Sequence, residues 1–355
     1  MPSSSSRILL TPGDINGIGP EVALQALLQL REKLRLPVVL IGSPEIWDFY
    51  IRLNPGFDIP IIPVKQLQDV PEDGFGIYNL EPASIKRSAE RLQPEPGKLS
   101  RSAGYVSMMA IEAAAKACIS GAASAMVTGP ISKEAVNLAG FSIPGHTEYL
   151  AEQDGAENVV MMLTSGGLRV VPLTTHIPIK DVSRAISKEL IIQKCSTIYT
   201  SLKRDFGIET PKIAVLGLNP HAGDGGIIGR EEIAQIRPAL SQLTKKEGIA
   251  AEGPFAADGF FASRAYEHYD AVLSMYHDQG LVPFKSLTFN KGVNFTAGLS
   301  FIRTSPDHGT AYALAGKQKA EAGSMAEAIE MAQHLSLSRR TESPAAASSS
   351  HHPPK

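Results

Sequence analysis

Three histidines in this chain share one local setting. His176 follows the apolar run Leu168–Thr174, His221 follows Lys212–Leu218, and His277 follows Ala271–Tyr276. Each then meets Pro, Gly, Asn or Asp, the residues of turns. Polar clusters at the ends of buried strands are where α/β proteins keep their chemistry. If the three strands are neighbours in one sheet, the imidazoles meet at its edge. Three protein nitrogens leave a coordination position open, the pattern of a catalytic divalent metal site. Imidazole suits zinc, and also iron, cobalt or nickel. The plainer alternative is that each ring hydrogen-bonds its own turn, and sequence alone does not bring the three together. His268, in an EHYD run, and His334, His351 and His352, in the last helix or the tail, read as surface residues.

A second set of residues suits an anion. Lys285, Asn294 and Arg303 follow His277 on successive short segments of Ser274–Lys317, little of which reads as amphipathic helix. Arginine offers a bidentate fork to phosphate or carboxylate, and lysine a point charge. Any one of them could be a solvated surface charge. Arg303 is the exception, because it adjoins the apolar run Leu299-Ser300-Phe301-Ile302, where a guanidinium needs an anion or other acceptors. His146 and Thr147 follow the turn Pro144-Gly145 and open a helix that Thr147 is expected to cap. Lys133, after Gly129-Pro130, is a further candidate anion contact. A substrate carrying both a phosphate and a carboxylate would use all of these groups.

The elements that must position them alternate strand and helix, which predicts a largely parallel sheet with helices on its faces. Arg7–Leu10 reads as a buried strand, Thr11–Val22 as a Gly-rich loop, and Pro20 as a helix start. The loop lacks the dinucleotide spacing G-x-G-x-x-G and reads equally as a tight turn. Helices are expected over Ser102–Gly121, from Ser187, and over Ser324–His334. A hairpin is expected across Ser165-Gly166-Gly167. The Ser-rich start and the stretch from Ser336 read as tails.

At 355 residues, 43% hydrophobic and 20% charged, the chain has ample core for two domains. A formal net charge of −2 argues against a nucleic-acid partner. No run suits a membrane span or a signal peptide. Cys118 and Cys195, far apart, form no disulfide framework, so a reducing cytoplasm is expected.

The motifs TPGDINGIGPEV, TGPISKEAV, IPGHTEYLAE, TTHIPI, GLNPHAGDGG, YHDQG and GVNFTAGLSFIRTSPDHGTAYALAGK run in order from Thr11 to Lys317. Together they resemble the 4-hydroxythreonine-4-phosphate dehydrogenase family of pyridoxal 5′-phosphate biosynthesis. GIGPEV and HGTAYALAGK are more distantly similar to motifs of the isocitrate and isopropylmalate dehydrogenases. The resemblance implies an isocitrate/isopropylmalate dehydrogenase-like α/β fold of two α/β/α domains with a cleft between them. Residues 7–135 plus 300–335 would form the first domain, and 136–299 the second, with metal ligands and dimer interface; 1–6 and 336–355 would be disordered tails. It implies a homodimer whose active sites are shared between subunits. A divalent metal (zinc, magnesium or cobalt) would sit on His176, His221 and His277. Substrate contacts carry over to His146, Thr147, Lys285, Asn294 and Arg303. Catalytic roles carry over to His146 and to Asp258, which matches an aspartate of proton transfer. The Asp258 loop departs from the family pattern, with Ala256 in place of proline and Gly259 in place of threonine. NAD or NADP would lie near His308, Gly309 and Thr310.

The implied reaction is oxidation of 4-phosphooxy-L-threonine at C3, then decarboxylation to 3-amino-2-oxopropyl phosphate. Two rivals stand beside it. Another four-carbon phosphate, erythronate or threonate 4-phosphate, would suit the same fold. A three-histidine zinc hydrolase would need no dinucleotide, and leaves PDHGTAYALAGK without a role. A pure binding protein is a weaker third.

Overall fold

The computed structural model describes residues 6–72, 74–80, 93–143, 145–289 and 291–341. The tail residues 1–5 and 342–355, residues 73, 81–92 and 290, and the turn residue Pro144 therefore lie outside the described residues. The first elements are β1 (Ile8–Thr11), α1 (Gly19–Leu30), β2 (Val38–Ile41), α2 (Pro44–Leu53), β3 (Ile61–Val64) and β4 (Phe75–Tyr78). Then come α3 (Arg101–Ile119), β5 (Ala125–Thr128), α4 (Lys133–Leu138), α5 (His146–Asp154) and the hairpin β6 (Val160–Ser165) and β7 (Leu168–Thr174). The next group is α6 (Ile179–Ala185), α7 (Lys188–Arg204), β8 (Lys212–Leu216), α8 (Arg237–Gln242), β9 (Ala250–Phe255) and α9 (Ala257–Ala262). The chain closes with β10 (Ala271–Tyr276), α10 (His277–Thr288), β11 (Val293–Ala297), β12 (Ile302–Pro306) and α11 (Gly323–Thr341).

The strands join in one sheet, ordered β3-β4-β2-β1-β5-β12-β11-β6-β7-β10-β8-β9. Pairing is parallel from β3 to β12 and again from β7 to β9. Between these blocks β11 and β6 pair antiparallel to their neighbours. The strands of residues 8–128 and 302–306 thus make one end of the sheet, and those of residues 160–297 the other.

Side-chain alternation sets the layers. One face carries a continuous core from Ile8, Val38 and Val127 through Phe295, Met162 and Val171 to Ile213 and Leu273, covered by α1, α7, α8 and α11. The opposite face carries two separate clusters. Leu9, Val39 and Met126 pack under α3, while Val170, Ala214 and Val272 pack under α9 and α10. No helix of the described residues is long and apolar enough to cross a membrane. Cys118 and Cys195 are buried, unpaired, and lie in separate clusters.

Three expectations are corrected. The stretch after His277 is not mainly loop, because α10 runs twelve residues from His277. Its apolar face is narrow (Gly280, Leu281, Phe284), and Gly280 replaces bulk with close approach. A Cβ there would lie 2.5 Å from Ser274 Oγ and 2.6 Å from Val170 Cγ1. The last helix continues through Thr341, so the segment from Ser336 is not a tail from its start, and at the other end Ser6 is buried rather than loose. Arg339 holds the end of α11 in place through Asp205, at 2.6 Å, and the Ser300 carbonyl, at 2.9 Å. Thr147 does not cap α5; Gly145 occupies the cap position, and Thr147 sits in the first turn.

Candidate active site

Between the two clusters of the second sheet face lies a polar gap. Thr128 on β5, Arg303 and Ser305 on β12, Asn294 and Thr296 on β11, and Met161 on β6 all point to this side by strand parity. The register places Asn294 beside Ser305. A cavity of about 640 Å³ occupies the gap. His146 and Thr147 reach it from α5, His176 from the end of β7, Lys285 from α10, and His308 and Gly309 from the loop after β12. Nine of the site residues expected from sequence therefore share one cavity within one chain: Lys133, His146, Thr147, His176, Lys285, Asn294, Arg303, His308 and Gly309.

Arg303 is 2% exposed. Its Nε and Nη2 donate to Thr128 Oγ1 at 3.1 and 2.7 Å, and Nη1 donates to Thr296 Oγ1 at 3.1 Å. No carboxylate among the described residues lies within ion-pair reach, so its charge is buried against neutral hydroxyls alone. Burial brings its pKa down to about 10, against the weaker pull of Glu148, so it stays charged at neutral pH. Burial, with Arg303 nearby, holds the His146 imidazole well below its ordinary value, hence neutral. Lys285 Nζ lies 3.1 Å from Asp307 Oδ2. Lys133 and Lys194 add two further cations to the walls, and Glu148 and Asp307 are the carboxylates.

Three buried polar atoms of this cavity have no protein partner: His146 Nε2, Asn294 Oδ1 and His308 Nε2. Buried polar groups are normally satisfied, so three orphans on one cavity mark a place where a polar ligand completes the bonding. A second cavity, about 360 Å³, continues past Lys285, Asp307 and His308 toward Ile18, Ala311 and Leu314.

The Gly-rich loop after β1 borders that second cavity as a clasp. Ile18 N donates to Thr310 O at 2.9 Å, Tyr312 Oη donates to Asp14 Oδ2 at 2.6 Å, and Gln318 N donates to Glu21 Oε2 at 3.1 Å. Gly316 N also donates to Glu21. Its glycines serve close approach, since a Cβ on Gly13 would lie 2.3 Å from the Pro130 carbonyl oxygen. Burial raises the Asp14 and Glu21 carboxyls above their usual range. Thr310 itself lines neither cavity.

The strands bearing the three histidines are neighbours. β10 pairs with β7 on one side and β8 on the other, all parallel, so His176, His277 and His221 follow the same edge of the sheet. Only His176 enters the large cavity. His277 Nδ1 lies 2.6 Å from Asp278 Oδ1. His221 sits in a run of left-handed residues, with φ of 53° at His221, 50° at Ala222 and 42° at Asp224. Such conformations cost a non-glycine residue about 1–2 kcal/mol, which the surrounding structure has to offset. Buried Glu232 anchors that run by accepting from Leu218 N and Asn219 N, both at 2.8 Å. Among the described residues no three His, Cys, Asp or Glu side chains converge on one point. By type and edge the imidazoles fit a divalent cation; a single chain does not gather them. Asp258, at the exposed start of α9, lies outside the cavity.

Sequence reasoning missed Thr128, Thr296, Asp307 and Lys194. The threonines look like ordinary strand formers, and Lys194 lies on a helix whose apolar face packs against the other side of the sheet.

A sheet-based α/β protein with a buried, cation-lined cleft of this size is built to hold a small anionic ligand. The family model described as pyridoxal phosphate biosynthetic protein PdxA matches residues 34–332, and the chain belongs to that family. It is 40% identical over 346 residues to a 4-hydroxythreonine-4-phosphate dehydrogenase of Bacteroides thetaiotaomicron, covering 96% of this chain and 92% of the relative. It is 43% identical over 341 residues to the protein of that name from Prosthecochloris aestuarii, covering 94% and 98%. The fold matches a crystal structure of 4-hydroxythreonine-4-phosphate dehydrogenase from Klebsiella pneumoniae with a TM-score of 0.81 at 35% identity, over 93% of this chain and 99% of that one.

Proposed function

We propose that this chain oxidises 4-phosphooxy-L-threonine at C3 with NAD or NADP and decarboxylates the product to 3-amino-2-oxopropyl phosphate. The observation that carries the reading is Arg303, a buried guanidinium without a carboxylate, set beside three orphaned polar atoms in one cavity. A phosphate supplies the missing charge for Arg303, and the hydroxyl and ammonium of the substrate supply donors for orphaned acceptors such as Asn294 Oδ1. Arg303 and Lys285 bind that phosphate, and Asn294 and Thr147 orient it. His146, held neutral, has a free ring nitrogen with which to take the proton of the C3 hydroxyl. His308, which lines both cavities, and its neighbours Gly309 and Thr310 would hold the dinucleotide, whose nicotinamide would supply the hydride acceptor. His176, His221 and His277 would hold a divalent metal, which would supply a Lewis acid to the reaction.

A homodimer with shared sites supports that ligand set. Exposed apolar residues flank each histidine. Ile179, 71% exposed, follows His176; Ile227, 83% exposed, follows His221; Phe289, 81% exposed, ends the helix that His277 begins. Large apolar side chains exposed beside polar site residues are what a second copy would cover. Covering them would bring the outlying imidazoles and Asp258 to a neighbouring cavity.

The test is NADH formation, followed by absorbance, with 4-phosphooxy-L-threonine and separately with erythronate and threonate 4-phosphate, before and after chelation. NADH from the first substrate, lost on chelation and restored by zinc, magnesium or cobalt, is expected. No NADH from any of the three with metal present overturns the dehydrogenase reading.

A further inference from the structure

We infer that Lys194 is a specificity-determining residue that holds the substrate carboxylate at the end of the cavity opposite the phosphate; the inference rests on the function proposed above. Lys194 lies on α7, whose residues Ile191, Cys195 and Ile198 are buried in the core of the other sheet face. Its side chain passes the start of β6, where Nζ donates to Val159 O at 2.9 Å, and enters the large cavity. An ammonium has three donors, so two remain for a ligand. No carboxylate among the described residues forms an ion pair with it.

Val159, Met161, Pro172 and Leu173 make an apolar stretch of wall here, with Glu148 and His176 as polar neighbours in the same cavity. A cation in that setting is poorly solvated, and burial lowers the Lys194 pKa against the opposing pull of Glu148. Low local dielectric strengthens its attraction for an anion. Its location also fits a two-ended substrate. β6 is two strands from β12, so Lys194 lies about 10 Å across the sheet from the strand of Arg303. The antiparallel pairing puts the start of β6 beside the end of β7, the His176 end of the cavity. Lys285 and Arg303 hold the phosphate, and a short carbon chain reaches from there to Lys194.

The test compares Lys194→Met and Lys194→Arg with the wild type. Steady-state kinetics with 4-phosphooxy-L-threonine, inhibition by inorganic phosphate, and calorimetric binding of the same substrate without dinucleotide are measured, with thermal melting to confirm folding. Lys194→Met should raise KM and the substrate Kd about tenfold or more, the value of one charge-assisted contact. kcat should stay near wild type, and the inhibition constant of inorganic phosphate should not move. Lys194→Arg should restore much of the loss. Unchanged KM and Kd in a folded Lys194→Met, or a phosphate inhibition constant rising with KM, overturns the assignment. The calorimetric arm separates the two readings: a wild type that makes no NADH refutes the reaction, whereas Lys194 is judged on binding.

Discussion

Replacing Arg303 by methionine separates a binding role from a structural one. The guanidinium is 2% exposed and bonds two threonine hydroxyls. Removing a buried charge that lacks an ionic partner relieves its desolvation, worth about 1–4 kcal/mol where such groups are replaced by apolar ones of similar size. Leaving Thr128 and Thr296 without their donors costs about 1 kcal/mol each. The difference leaves the unliganded variant between about 1 kcal/mol less and about 2 kcal/mol more stable than wild type. Binding moves the other way. Losing a buried, bidentate anion contact costs about 3–4 kcal/mol, or two to three powers of ten in affinity. Urea unfolding reads the first quantity, and inhibition of the oxidation by inorganic phosphate reads the second. Arg303→Met should therefore keep an unfolding free energy within about 2 kcal/mol of wild type while binding phosphate at least about a hundredfold more weakly. A variant destabilised by more than about 3 kcal/mol with unchanged phosphate inhibition would refute the reasoning, since the arginine would then be a strut.

Three further outcomes follow from the same geometry. His146 is neutral in the fold but regains its ordinary value of 6.5 when unfolded, so the unfolded chain binds more protons as pH falls. Stability present above pH 6.5 is lost as pH falls from there toward the lowered folded value, by up to about 1.4 kcal/mol per pH unit from this group. Melting curves of His146→Gln should lack that slope. Gly104→Ala would place a Cβ 2.0 Å from the Ala135 carbonyl oxygen, where α3 crosses α4, and should cost about 3 kcal/mol in urea unfolding because backbone cannot step aside. Tyr312→Phe removes the bond to Asp14 that fixes the loop beside the second cavity, and should raise KM for the dinucleotide about fivefold with the phosphate substrate's KM unchanged. Equal changes in both constants would count against a dinucleotide role for that loop.

Much of this site was legible because its residues break local rules. An arginine adjoining the apolar run Leu299–Ile302 has few bland explanations, and the structure buries it. A shared site for the three strand-end histidines required neighbouring strands, and β7, β10 and β8 are neighbours. What stayed hidden depends on contacts that no local pattern encodes. α10 begins directly at His277 and seats itself through Gly280, so its apolar stripe is short of bulk. Thr128 and Thr296 alternate with apolar residues as any strand threonine does. Lys194 reads as the polar face of a helix, and only the sheet's third dimension turns it into the cavity.

The location of that cavity follows from the topology. Parallel strands are joined by crossover helices, which cover the sheet faces as they return. α3 covers one end of the second face, and α9 and α10 the other. At β12, β11 and β6 the pairing turns antiparallel, and strand direction no longer demands a helix over that face. The uncovered strip is where Arg303, Ser305, Asn294 and Thr296 replace apolar residues without loss of a packed layer. The opposite faces of the same strands keep Ile302, Phe295 and Met162 in the continuous core. The alternation of strand direction across the middle of the sheet thus supplies both parts of a binding site: a rigid floor, and an opening above it in which a buried cation waits for its anion.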